Sequence, residues 1–146
     1  MKRKGAVWCN KRGFPLYFGY CPNAKTWNYE IKCLGIDGPC VYPPYRAHSH
    51  FASMVVFDNV KKGDSRGKVC LVTLDTRRHN SLQEVYSSIV HESVHVWQTL
   101  RNYIGENDPS IEFEAYSIQN ISDSLFAAFQ MCHKLPALKP KGYYAP

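Results

Sequence analysis

The hydrophobic positions change period near residue 78, and the change divides the chain. Upstream, residues 14–20, 26–34, 52–58 and 68–75 are rich in Val, Ile, Tyr, Phe, Trp and Thr and predict strands. Glycine and proline punctuate them at Pro22-Asn23, Gly35-Ile36-Asp37-Gly38-Pro39, Pro43-Pro44 and Lys62-Gly63-Asp64. Residues 59–67 read as a hairpin connection and residues 35–50 as a long, irregular loop. Downstream the spacing becomes helical. Ser81-Leu82-Gln83-Glu84 matches a capping box, so a helix starts near Ser81. Leu82, Val85, Tyr86, Ile89, Val96, Trp97 and Leu100 then recur on one face until Gly105 stops the run. A second helix opens near Asp108-Pro109, with proline at its first position, and carries Ile111, Ile118, Ile121, Leu125 and Phe129 to about Cys132. Residues 137–146 hold two prolines and one glycine and read as an extended tail.

Strands followed by two helices predict an α+β domain: a mainly antiparallel N-terminal sheet, then two long helices, in a single unit over residues 1–136. With 146 residues and 45% hydrophobic composition, one ordered core is the expectation. No apolar run approaches the roughly 18 residues of a membrane span. The basic start, Met1-Lys2-Arg3-Lys4, is followed by Cys9, Asn10, Lys11 and Arg12 rather than an apolar stretch. No export signal, and a cytoplasmic location, are therefore expected.

Charge and cysteine change this picture only a little. The formal charge of +6 is unevenly spread: residues 1–78 hold 14 Lys/Arg against 5 Asp/Glu, and residues 79–146 hold 4 against 7. A basic N-terminal half suits an acidic partner such as nucleic acid, or is simply a solvated surface. The six cysteines, at 9, 21, 33, 40, 70 and 132, form no C-x-x-C pair, which argues against a zinc ribbon or finger. Free, mostly buried thiols are the first expectation and disulfides the second.

The chemistry lies in His91-Glu92-Ser93-Val94-His95, inside the first predicted helix. Histidines four apart project from one helix face, one turn apart, so both imidazoles can reach a single Zn²⁺. Glu92 lies beside the same site and is placed to take a proton from water on the metal, whose pKa zinc lowers to about 7. A catalytic zinc keeps three protein ligands and one open position, so a third ligand is required. The next helix offers Glu112-Phe113-Glu114-Ala115-Tyr116. Periodicity favours Glu114, which falls on the stripe of Ile111, Ile118, Ile121 and Leu125, where a buried carboxylate would want a cation.

These residues resemble the gluzincin group of zinc metallopeptidases, in which H-E-x-x-H is followed by a downstream Glu. Glu112-Phe113-Glu114-Ala115 is similar to the E-x-x-A pattern of several such families, including the membrane CAAX-processing and HtpX-type proteases. That resemblance implies that Glu112 is the third ligand and that Ala115 lets two helices pack closely. Sixteen residues separate His95 from Glu112, and the aminopeptidase-type spacing of 18 would instead select Glu114. Glu112 is preferred, because residue pattern constrains helix packing more directly than loop length does. His95-Val96-Trp97-Gln98 also resembles small H-E-x-x-H proteins of bacteria and their phages, which would allow a virion location as well. The likeness covers residues 81–125, lacks the membrane proteases' spanning segments, and has Tyr116 where Asp or Asn is common.

The resemblance implies a minimal zincin-like domain acting as a zinc metallopeptidase on a peptide or protein substrate, with His91, His95 and Glu112 as ligands and Glu92 as base. Its alternative is a zincin-like structural or binding module, in a phage particle or on nucleic acid. In zincin folds an edge strand pairs with extended substrate, and residues 68–75 are assigned that place here. His48 and His50, in the long loop, line the cleft, stabilise an oxyanion or face solvent, the last being preferred. Tyr116 is an oxyanion donor or a packed aromatic, and His79 and His133 have no ligand-like partner in sequence.

Overall fold

The computed structural model describes residues 4–9, 15–62 and 65–133. They form an α+β fold around a four-stranded mixed sheet of order β1-β2-β4-β3: β1 (Val7–Trp8), β2 (Tyr17–Cys21), β3 (Ala52–Lys62) and β4 (Ser65–Leu74). β1 pairs antiparallel with β2, and β3 antiparallel with β4. β2 and β4 run parallel, from Tyr17↔Val69 to Cys21↔Thr73. A parallel neighbour requires a crossover. Here it contains the helix α1 (Ala24–Cys33), the irregular loop and β3 itself.

Side chains alternate across β4, so each face builds its own core. Cys70, Val72 and Leu74 join Phe18 and Tyr20 of β2 on the face covered by α2 (Leu82–Ile104) and α3 (Ile111–Cys132). Val69 and Leu71 join Cys21 on the opposite face, under Trp27 and Ile31 of α1. The sheet is thus a middle layer with one helix on one side and a helical hairpin on the other.

The residues that place α2 are local. The Ser81 hydroxyl accepts from Glu84 N at 3.1 Å, and the Glu84 carboxylate reaches back to Asn80 N at 2.6 Å. Val85, Ile89, Val96, Trp97 and Leu100 are buried, and Gly105 (φ 72°) closes the helix in the left-handed conformation that favours glycine. Trp97 Nε1 donates to Glu114 at 2.7 Å, and Gln130 Nε2 donates to the Tyr86 hydroxyl at 2.7 Å, so α2 and α3 are tied near both ends. No helix among the described residues is long and apolar enough to cross a membrane.

Several expectations are corrected. Residues 26–33 lie in α1 rather than in a strand: Asn23 accepts from Thr26 N at 2.9 Å, and Trp27 and Ile31, with the C-cap Leu34, are buried on one side. A cap and a helical period outweigh the β-propensity of Thr, Trp, Tyr and Ile. The second strand lies at Tyr17–Cys21, and Phe14 is outside the described residues. Residues 68–75 do not form an edge: β4 extends from Ser65 and is paired on both sides, which leaves β3 outermost. Pro109 is not the first residue of α3. Ser110 caps that helix by accepting from Phe113 N at 3.2 Å, and Ile111 follows it, 86% exposed and off the buried stripe. The tail over residues 137–146 lies outside the described residues.

Candidate metal centre

α2 crosses the outer part of β3, and an open cleft of about 620 Å³ lies between them. Ser87, Ser88, His91, Glu92 and His95 form the helical wall; residues 50–54 form the other. The helix period accounts for this division of labour. Ile89, Ser93, Val96 and Trp97 are buried, whereas His91 and His95 are exposed one turn apart, and Glu92 lies between them at only 5% exposure.

The two imidazoles converge. His91 Nε2 and His95 Nε2 are 3.1 Å apart, with their rings edge to face at 76°. Two nitrogens on one tetrahedral zinc, each about 2.0–2.1 Å from it, stand about 3.3 Å apart. The observed separation is close to that figure. His95 is also held in the required tautomer. Its Nδ1–H donates to Gln98 Oε1 at 3.0 Å, so Nε2 carries a lone pair toward His91. With that tautomer, His91 Nε2–H donates into the His95 Nε2 lone pair.

Glu92 lies across the cleft from residues 50–54. Burial pushes its pKa above its ordinary value, opposed by the nearby His91, His95 and His50 and by the backbone N–H of Met54. The Phe51 carbonyl accepts from Asp75 N, so the backbone groups of Phe51 face β4. Those of Ala52, Met54 and Val56 then face the open edge by the two-residue alternation of an antiparallel strand.

The carboxylates proposed as third ligand stand elsewhere. Glu112 is exposed on the first turn of α3. Glu114 is half-buried and engaged: it accepts from Trp97 Nε1 and lies 3.8 Å from Arg101. The cation expected of a carboxylate on that stripe is thus arginine. Neither lines the cleft, and among the described residues no group of three or more His, Cys, Asp or Glu is arranged to hold a metal. His91, Glu92 and His95 are brought together; Glu112 is not brought to them.

Both loop histidines are exposed to solvent, as preferred; His50 also lines the open cleft, and His48 sits in a left-handed turn (φ 60°). Tyr116 is 61% exposed and does not line the cleft. His79 bridges the Asp75 carbonyl at 2.8 Å and Ser88 Oγ at 2.9 Å, and His133 bonds the Tyr20 hydroxyl at 2.8 Å, so both are structural. All six cysteines are free thiols, with Cys21 and Cys70 buried and Cys33 exposed. Two groups escaped sequence reasoning. Gln98 had a local signal, three residues after His95; the Met54 N–H had none, because only sheet order brings it to Glu92. No protein-family model, curated protein or solved structure matches the chain.

Proposed function

We propose that the chain is a zinc-dependent peptide hydrolase whose metal is held by His91 and His95 and whose base is Glu92. The observation that carries this reading is the convergence of two Nε2 atoms at 3.1 Å in a cleft that also contains a buried glutamate. The donor set fits zinc in the type and spacing of its two nitrogens. Glu112 and Glu114 both lie outside the cleft, and Trp97 and Arg101 already occupy Glu114.

Zinc, when bound, supplies a Lewis acid for the peptide carbonyl and lowers the pKa of the attacking water to about 7. Glu92 takes the proton released as that water attacks and delivers it to the amine as the C–N bond breaks. Burial raises its pKa, which makes it a stronger base than a free carboxylate. The outer edge of β3, at Ala52 and Val56, offers backbone groups to an extended peptide running along the cleft.

The test is hydrolysis of fluorescein-labelled casein by the zinc-loaded chain. Glu92→Gln should abolish cleavage while zinc stays bound. A second reading is favoured by the concentration of Lys and Arg in residues 1–78: zinc steadies the fold and the basic half binds nucleic acid. Salt-dependent binding to DNA or RNA that persists in Glu92→Gln, without casein cleavage by the parent chain, would establish that reading instead.

A further inference from the structure

Ser88 lines the cleft from α2, and its hydroxyl meets His79 Nε2 at 2.9 Å. The other ring nitrogen, Nδ1, meets the Asp75 carbonyl at 2.8 Å. A carbonyl only accepts, so Nδ1 carries the proton, and in the neutral ring Nε2 keeps its lone pair. The Ser88 hydroxyl is therefore the donor to Nε2. Further contacts hold the imidazole in place. Phe51 packs on it at 5.7 Å between ring centres, and Arg78 lies 4.3 Å over the Phe51 ring. The Asp75 carbonyl also accepts from Arg78 N at 3.1 Å, and Asp75 N donates to the Phe51 carbonyl at 2.9 Å, so the residue that sets the tautomer is itself pinned. The bonds that make His79 a structural tie thus also give it the orientation of a general base: hydroxyl, imidazole and orienting acceptor are linked one to the next. The preceding residue, Ser87, lines the same cleft and has no hydrogen-bond partner among the described residues.

We propose that Ser88 is a nucleophile toward acyl esters, with His79 as its base and the Asp75 carbonyl holding that base in the required tautomer. The proposal needs no metal and stands apart from the hydrolase reading above. Ser88 Oγ bonds to the acyl carbon as its proton passes to His79 Nε2, and the π pair moves onto the carbonyl oxygen. The carbonyl re-forms as the bond to the leaving oxygen breaks, and His79 returns the proton to that oxygen, giving free alcohol and acyl-Ser88. Water then attacks the acyl carbon and gives its proton to His79; the acid departs and Ser88 Oγ takes the proton back. The orienting group is a neutral carbonyl, since the Asp75 carboxylate is engaged by Arg77. It stabilises an imidazolium less than a carboxylate would, which limits the substrate to esters with good leaving groups.

The experiment uses the full chain, treated with EDTA and mixed with p-nitrophenyl acetate at neutral pH. Release of p-nitrophenolate should show a burst approaching one equivalent per chain, and peptide mass spectrometry should place the acetyl group on Ser88 rather than on Ser87. Ser88→Ala should remove the burst. His79→Gln keeps an acceptor for the Ser88 hydroxyl but cannot take its proton; it should retain the parental far-UV circular dichroism and slow acetylation by about 100-fold or more. A parent chain with no acetyl group on Ser88, or a His79→Gln chain that acetylates Ser88 at the parental rate, overturns the proposal. The first readout uses the parent chain alone, so it decides the matter even if a variant fails to fold. Neither result bears on the zinc reading, because EDTA keeps metal out of the assay.

Discussion

Glu114→Ala separates a structural carboxylate from a metal ligand. Trp97 is 1% exposed, and its indole N–H donates to Glu114 at 2.7 Å. Truncating Glu114 leaves that donor without its acceptor, a loss of about 1–3 kcal/mol for a buried polar group. The Glu114 side chain is 42% exposed, so water can replace part of the bond and the lower half of that range applies. The contact with Arg101 at 3.8 Å adds little, since exposed ion pairs contribute less than about 1 kcal/mol. Urea unfolding followed by tryptophan fluorescence should therefore show a destabilisation of about 1–2 kcal/mol for Glu114→Ala. Glu114→Gln keeps an acceptor oxygen and should fall within about 0.5 kcal/mol of the parent. Neither variant should change zinc affinity. A Glu114→Ala chain with parental stability but lost zinc would refute the reasoning and make Glu114 a zinc ligand.

Asp75 is buried and receives both Nε and a terminal nitrogen of Arg77 at 2.9 Å, which hold its carboxyl below the ordinary range, with Arg78 adding to the effect. Because the folded pKa is depressed, this contribution is present above the unfolded value of about 3.9 and is lost as pH falls through the folded one. Asp75→Asn should cost about 1.5–3 kcal/mol at neutral pH, and the difference should shrink in urea titrations run below about pH 4. Burial pushes the Cys70 thiol up to about 12, and the Cys9 thiol likewise. Iodoacetamide at pH 8 should therefore alkylate the exposed Cys33 well before Cys70 in the native chain, as read by peptide mass spectrometry. Equal rates would mean that the β4 core opens readily. At Gly19 an added Cβ would stand 2.9 Å from the Val7 carbonyl, so Gly19→Ala should destabilise by about 1–3 kcal/mol in the same unfolding assay.

What sequence made legible was what local geometry controls. α2 was readable at both ends, because a capping serine, an i, i+3/i+4 stripe and a left-handed glycine are all written within its own residues. The histidine pair was readable for the same reason: four residues along a helix fix where two side chains point. α1 was missed because its β-branched and aromatic residues drew attention from its cap at Asn23 and from the spacing of Trp27, Ile31 and Leu34. The sheet order could not be read, since β2 pairs with β4 across a connection of more than forty residues. With the order went the identity of the edge strand, the Met54 N–H on Glu92 and the place of His50 in the cleft. The third ligand depends on how α3 crosses α2, and there sequence offered two carboxylates with one already taken by Trp97.

The central claim is that His91 and His95 share one zinc ion, and metal stoichiometry tests it most directly. Purified chain equilibrated with Zn²⁺ and passed through a desalting column should retain one zinc per chain by plasma emission analysis. Glu92→Gln should retain it equally, and His91→Ala and His95→Ala should each lose it while keeping the parental far-UV circular dichroism. A parent chain that emerges free of zinc, or a His91→Ala chain that still carries a full equivalent, would contradict the account.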